Sequence, residues 1–270
     1  MLPNPTNRFT GRVESYRRYR PGYPPAIVDL LRRECRLSPN ATIADVAAGT
    51  GLLTEIFLAA GFTVTAIEPN DEMRAACAEL EGTYPDLRCV AGSAESTGLP
   101  DHSIDLITVA QAMHWFDLGR TRAEFARILR LSELARRGPR QERRGGWCAV
   151  LYNNRRLSGD AFHDAYEQFL LDYGIDYKAV KEQHVGRKRL AQFFAPSPMK
   201  CESLINAQPL TLDALKGRVL SSSYIPQPGH LRFPDMQAAL EKLFADHAQN
   251  GAVTMIHDCM ICWGQLTAGG

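Results

Sequence analysis

Between Ile43 and Asn153 the chain alternates short, almost continuously apolar runs with longer stretches whose apolar residues recur every three to four positions. A run buried on both faces reads as a strand of a parallel sheet, and the periodic stretches read as helices crossing over it. The pattern predicts strands over 42–47, 63–67, 87–91, 104–110 and 147–152, with helices near 52–60, 71–80 and 121–129. Such alternation implies an α/β fold, a mostly parallel sheet with helices on both faces. Upstream, Pro24 and Pro25 open a helix over 26–36 in which Ile27, Leu30 and Leu31 share a face. Downstream, Phe162, Tyr166, Phe169 and Leu170 mark an amphipathic helix over 160–173, the first piece of a cap. Residues 210–220 and 236–247 read as further helices, and 203–207 and 253–263 as antiparallel strands at the sheet edge.

The end of the first strand brings chemistry into this frame. Gly49-Thr50-Gly51 follows the buried run, and glycine lets backbone approach a ligand and adopt positive φ. The helix behind it offers free N–H groups at the carboxyl end of the sheet, where open α/β sheets bind ligands. The second strand ends in Glu68, about 20 residues after the glycines, the offset at which a carboxylate meets ribose hydroxyls. A nucleotide-like cofactor follows. A dinucleotide fits less well, because Thr54 stands where Gly-x-Gly-x-x-Gly needs its third glycine. An ordinary strand-to-helix turn would also explain the two glycines alone.

Composition narrows the partners. Thirty-one basic residues face 30 acidic ones and 45% of the chain is hydrophobic, so no global field draws it toward nucleic acid or an anionic membrane. Apolar runs such as 104–112 fall short of the roughly 20 residues that cross a bilayer, and the polar start 1–10 has no apolar signal core. A soluble cytoplasmic protein with a small-molecule partner is the expectation, as a monomer or weak dimer. Seven scattered cysteines read as reduced, mostly buried thiols. Cys259 and Cys262, with His257 upstream, could begin a zinc site, but a fourth ligand is missing and the two cysteines would face opposite sides of a strand, so no metal is expected. Five arginines crowd 131–144 against Glu133 and Glu142, where a tight turn would suffice; the segment reads as a solvated loop, an insertion or a frame artefact.

Asp45-Val46-Ala47-Ala48-Gly49-Thr50-Gly51, Glu68-Pro69, Gly92-Ser93-Ala94-Glu95 and Ile104-Asp105-Leu106-Ile107 resemble, in order and spacing, the cofactor motifs of class I S-adenosylmethionine-dependent methyltransferases. Tyr16–Pro24 and Gln111–Asp117 are similar to the type 11 group that includes trans-aconitate-methyltransferase-like proteins. The resemblance implies a Rossmann-like seven-stranded sheet: a cofactor-binding core with an N-terminal lid over 1–153, then cap helices, inserted after the fifth strand, and edge strands over 154–270 completing the same domain. It places Asp45, Ala47, Gly49, Thr50 and Gly51 near the methionine part of S-adenosylmethionine, Glu68 on the ribose, and Asn70, Met73, Ser93, Ala94 and Glu95 around adenine. Ala110 and Gln111 would meet the amino group, and Tyr16, Tyr19 and Arg20 would fold over as the lid. Met73, Tyr16 and Tyr19 suit plain helix packing equally well.

The implied reaction moves a methyl group in line onto a small acceptor, such as a carboxylate, and releases S-adenosylhomocysteine. His114 is the candidate base and equally a packing histidine; Arg155, Arg156 and Tyr224 are candidate substrate contacts. Rival readings are a nucleic-acid methyltransferase, whose Asn/Asp-Pro-Pro-aromatic signature is absent after the fourth strand, and a non-catalytic cofactor-binding protein.

Overall fold

The computed structural model describes residues 13–130, 146–177, 186–222 and 224–266. The basic stretch 131–144 therefore lies outside the described residues.

The chain enters through helix α1 (Val13–Tyr19) and α2 (Ala26–Glu34). Then β1 (Thr42–Val46), α3 (Leu52–Ala59), β2 (Thr63–Ile67), α4 (Asp71–Ala78), β3 (Leu87–Val90), β4 (Leu106–Ala110), α5 (Leu118–Ile128) and β5 (Trp147–Arg155) alternate as the apolar runs predict. Helix α6 (Ala161–Tyr173), α7 (Arg187–Phe194), β6 (Lys200–Leu210), α8 (Leu212–Leu220), α9 (Phe233–His247) and β7 (Val253–Gln265) complete the fold. The seven strands form one sheet in the order β3-β2-β1-β4-β5-β7-β6. The first five run parallel, and β7 lies antiparallel between β5 and β6. The carboxyl ends of β1, β2, β4 and β5 therefore share one rim.

Nearly continuous apolarity has its cause in two-sided burial. On one face α2 and α3 pack Ile27, Leu31 and Phe57 against Ile43, Leu106 and Leu151. On the other, α5 and α7 bring Phe125, Phe193 and Phe194 onto Ile107, Val150 and Tyr152. Each such side chain contributes about 1.5–3 kcal/mol by leaving water. A third cluster forms the cap, where Phe162, Tyr166 and Phe169 of α6 meet Leu215 of α8 and Leu240 of α9 over Val253 and Met255. The cap thus draws on two insertions, one after β5 and one between β6 and β7, while α7 returns to the sheet. Helix starts follow side-chain capping: Asn70, Asp117, Asp160 and Thr211 each accept a backbone N–H at an N-terminus.

Three expectations need correction. The fourth strand begins at Leu106 rather than Ile104, because Ile104 makes only a single bridge, to Leu129. The edge strands are longer than their apolar runs, since β6 alternates exposed residues along its outer face. Finally, the cysteines are not all thiols: Cys201 and Cys262 stand directly opposite on β6 and β7 and form a disulfide. Among the described residues, no helix is long and apolar enough to cross a membrane.

Candidate active site

The rim of the sheet is built around Asp45, which is 1% exposed. Its two carboxylate oxygens accept the hydroxyls of Thr54 on α3 (2.7 Å) and Thr108 on β4 (2.9 Å). Burial pushes its pKa up to about 6, against the lowering effect of those hydroxyls. Asp45 lines the cleft, with its oxygens already engaged in tying β1 to its neighbours.

Beyond it the backbone turns through positive φ at Ala47 (58°), Gly49 (59°) and Gly51 (86°). Gly51 N–H bonds the Ala48 carbonyl at 3.0 Å, closing the turn. The two glycines serve different ends. A Cβ on Gly51 would lie 2.9 Å from Cys77 Sγ and 2.8 Å from Leu80 Cδ1, so this position lets α4 pack against the turn. A Cβ on Gly49 would meet nothing within 4 Å; it would project into a cleft of about 350 Å³, open mouth included, lined by Asp45, Gly49, Thr50, Ala110, Gln111 and Tyr23. Thr50 is 3% exposed, and its buried Oγ1 has no hydrogen-bond partner.

Glu68 at the tip of β2 accepts the Gly49 N–H at Oε2 and the Asn70 N–H at Oε1, both at 2.9 Å. Burial raises its pKa, while those two N–H groups lower it. Asn70 caps α4 through the Met73 N–H at 2.9 Å, and Met73 is buried in the fold. Ser93 and Ser96 close a small turn on each other. Ala94 is buried, and Glu95 Oε1 accepts the Asp117 N–H at 2.9 Å, holding the start of α5.

Gln111 follows β4 at φ 58°, its N–H on the Leu151 carbonyl and its side-chain amide 3.3 Å from the Asn153 carbonyl. His114 sits in the short turn Met113–Trp115, its ring centroid 4.6 Å from that of Trp115; it is not among the residues lining the cleft.

The N-terminal segment is a strap across the rim. Arg17 pairs with Glu79 beyond α4. Tyr19 lies flat against Gly217 of α8, where a Cβ would come within 2.2 Å of its ring. Arg20 donates to the Ser221 carbonyl at 3.0 Å. The Gly22 carbonyl accepts amides from Asn153 (3.0 Å) and Asn206 (2.7 Å), and Tyr23 reaches the cleft. Of Tyr16, on α1, the side chain lies outside the described residues.

The candidate substrate arginines are occupied by the protein. Arg155 pairs with Glu167, donates to the Tyr177 hydroxyl at 2.8 Å and covers the Tyr166 ring at 4.9 Å. Arg156 forks onto both oxygens of Asp258 (2.8–3.2 Å). Tyr224 packs on Tyr177, centroids 5.1 Å apart. Sequence reasoning overlooked Tyr23, Leu52 and Leu53 in the cleft wall; Tyr23 belongs to the same aromatic and basic run as Tyr16 and Tyr19, which was the available signal.

A mostly parallel sheet with a glycine turn after β1 and a carboxylate at the tip of β2 is a Rossmann-like architecture shared with solved methyltransferase structures. Residues 44–132 match the family described as Methyltransferase domain. It is 35% identical over 159 residues to an uncharacterized methyltransferase of Mycobacterium tuberculosis, covering 58% of this chain and 62% of the relative. An uncharacterized methyltransferase of Schizosaccharomyces pombe is 32% identical over 123 residues, 45% of this chain and 48% of the relative. The chain thus spans less than two thirds of the length of these relatives. A solved candidate type II methyltransferase from Anaeromyxobacter dehalogenans superposes with a TM-score of 0.64 at 22% identity, covering 93% of this chain and 100% of the other. The YcgJ protein of Bacillus subtilis superposes with a TM-score of 0.52 at 17% identity, covering 90% and 98%.

Proposed function

We propose that the chain is an S-adenosylmethionine-dependent methyltransferase acting on a small organic acceptor. The observation that carries this reading is the cleft at the β1 tip, where open space over Gly49 adjoins the buried, unpartnered hydroxyl of Thr50. A buried hydroxyl without a partner costs free energy that a ligand's polar end would recover. Glu68 is not among the residues lining that cleft, but it joins the cleft through the Gly49 N–H and supports the same reading. Each of its oxygens takes one backbone N–H, and a carboxylate has about four acceptor sites, so it retains capacity for the two hydroxyls of a ribose.

Bound S-adenosylmethionine supplies a methyl on a sulfonium, whose carbon–sulfur bond breaks as an acceptor lone pair attacks, leaving S-adenosylhomocysteine. The residues of this chain have to position and to exclude water. Thr50 and the Gly49 backbone would hold the amino-acid end, Glu68 the sugar, and Gln111 the far wall. An anionic acceptor oxygen needs no base, consistent with the position of His114 outside the cleft lining. The near balance of 31 basic and 30 acidic residues supports a small acceptor over nucleic acid.

Titration calorimetry with S-adenosylhomocysteine tests the reading. Saturable binding is expected, with Glu68→Ala weakening it at least tenfold, about 1.4 kcal/mol, and Gly49→Val doing so through both the crowded cleft and the strained turn at φ 59°. Folded wild-type protein that takes up neither the donor nor its product would end this assignment.

A further inference from the structure

The disulfide between β6 and β7 leaves five free cysteines, and two of them meet beside the glycine turn of the cleft. Cys77 stands in the last turn of α4 and Cys89 on β3, and their side chains hydrogen-bond each other. Methyl transfer as described above makes no use of this pair.

Cys77 is 1% exposed, and its sulfur lies against the turn, since a Cβ on Gly51 would come within 2.9 Å of it. Helix α4 is thereby fastened to the turn at both ends. At its start the Asn70 N–H donates to Glu68, whose other oxygen accepts the Gly49 N–H. At its end Cys77 packs against Gly51. Cys89 is placed differently, because β3 is the outermost strand of the sheet and Cys89 alone among the five free cysteines is not buried. Its backbone is pinned by the ladder to β2, where it stands opposite Ala66, and by its N–H on Glu81 Oε1 at 3.2 Å.

The two sulfurs divide the work. Cys77 donates to Cys89 and lies deep in the fold near Asp45 and Glu68, and all of this raises its pKa. Cys89 accepts that hydrogen bond and feels the charge of Arg74, which lower its pKa against burial and Glu81. A half-buried thiol with thiolate character is the one that meets an oxidant, and a second thiol in contact with it captures the product.

We propose that Cys77 and Cys89 are an oxidisable pair, closed to a disulfide by hydrogen peroxide, and that closure loosens the cofactor turn. The Cys89 thiolate attacks one peroxide oxygen, the O–O bond breaks, and Cys89 becomes a sulfenic acid while the released hydroxide takes up a proton. The Cys77 sulfur then displaces the hydroxyl from the Cys89 sulfur, and the Cys77 proton leaves with it as water. Two thiols together lose two electrons and two protons, and one peroxide becomes two waters.

Sulfurs in contact lie roughly 3.5–4 Å apart, and a disulfide draws them to about 2.05 Å. Cys89 is held by its strand and by Glu81, so the end of α4 has to give way. The Cys77 sulfur then leaves its place against Gly51, and the turn loses the packing that fixes it. The effect on the cofactor rests on the methyl-transfer reading; closure of the pair does not.

The test treats the full chain with a modest excess of hydrogen peroxide, blocks remaining thiols after denaturation, and maps tryptic peptides. Arg74, Arg88 and Arg120 place the two cysteines in separate peptides, 75–88 and 89–120. These two are expected to appear linked, while Cys35, Cys148 and Cys259 are recovered as free thiols. Calorimetry on the oxidised chain should show S-adenosylhomocysteine bound roughly fivefold or more weakly, with dithiothreitol restoring the affinity. Cys89→Ser should match the reduced wild type within about twofold and keep its affinity through peroxide. The proposal is overturned if the two peptides stay unlinked, or if they link and a reduced chain that binds S-adenosylhomocysteine normally binds it equally well once oxidised. Failure of the reduced chain to bind S-adenosylhomocysteine strikes the methyl-transfer reading instead, and the peptide map then decides for or against the pair by itself.

Discussion

Asp45 shows how a single side chain can be legible in kind and not in role. An acid at the end of the first apolar run is visible in the sequence, and the resemblance assigns it to the ligand. Its two hydroxyl partners come from positions 54 and 108, and only the packed sheet brings them together. With a folded-state pKa near 6 against an ordinary 3.8, Asp45 holds its proton in the native state at pH values where the unfolded chain has released it. Stability from this residue is present below about pH 4 and is lost as pH rises through 6, at up to about 1.4 kcal/mol per pH unit. Asp45→Asn keeps the shape and removes the charge. Relative to wild type, the variant should gain stability between pH 4 and 7, read from urea midpoints at several pH values. Glu68 was the easier residue to read, because its distance from the glycines is set by one strand-helix-strand unit. Arg155 and Arg156 were not legible, because their partners Glu167 and Asp258 lie on α6 and on β7, and a single-chain pattern carries no cross-strand register.

Among the elements, the parallel strands were readable because burial on both faces leaves near-continuous apolar runs, and errors were confined to ends such as Ile104. The edge strands were undercalled in length, since β6 carries polar residues on its open face and shows its apolar side only at alternate positions. The Cys201–Cys262 pairing escaped for the same reason as the arginine pairs: it depends on which residue of β6 faces which of β7. Helix α1 carries a prediction of its own. Its seat on α8 requires glycine at 217, where any side chain would collide with Tyr19. Gly217→Val should lift the strap from the cap, seen as faster limited proteolysis after Arg17 or Arg18. The sheet core, supported by α2, α3, α5 and α7, should keep its cooperative unfolding. Equal protection of both proteins would mean that the strap is held by its other bonds alone.

For the whole molecule, two buried groups set opposing trends with pH. His257, depressed to about 3, is neutral in the fold while the unfolded chain takes up a proton below about 6.5. Stability from His257 is present above 6.5 and is lost as pH falls toward 3, the reverse of the slope set by Asp45. Between pH 4 and 6 the two contributions cancel. The wild-type chain should therefore show a shallow dependence there. Asp45→Asn should unmask a rise of stability with pH, and His257→Gln a fall. Parallel profiles for the two variants would show that neither group titrates as its burial demands.

The two hydrogen bonds that the Gly22 carbonyl accepts tie neighbouring sites together. Asn153 and Asn206 belong to strands separated by β7, so one peptide unit is buttoned to both sides of a three-strand span. Two positions before it is Arg20; the next residue is Tyr23. Whatever settles against Tyr23 steadies the arginine, and whatever draws in the arginine steadies the tyrosine. Such help is reciprocal by thermodynamic necessity. A guest that settles against Tyr23 would therefore be bound more tightly whenever Arg20 is held, and holding Arg20 would become easier by the same free energy.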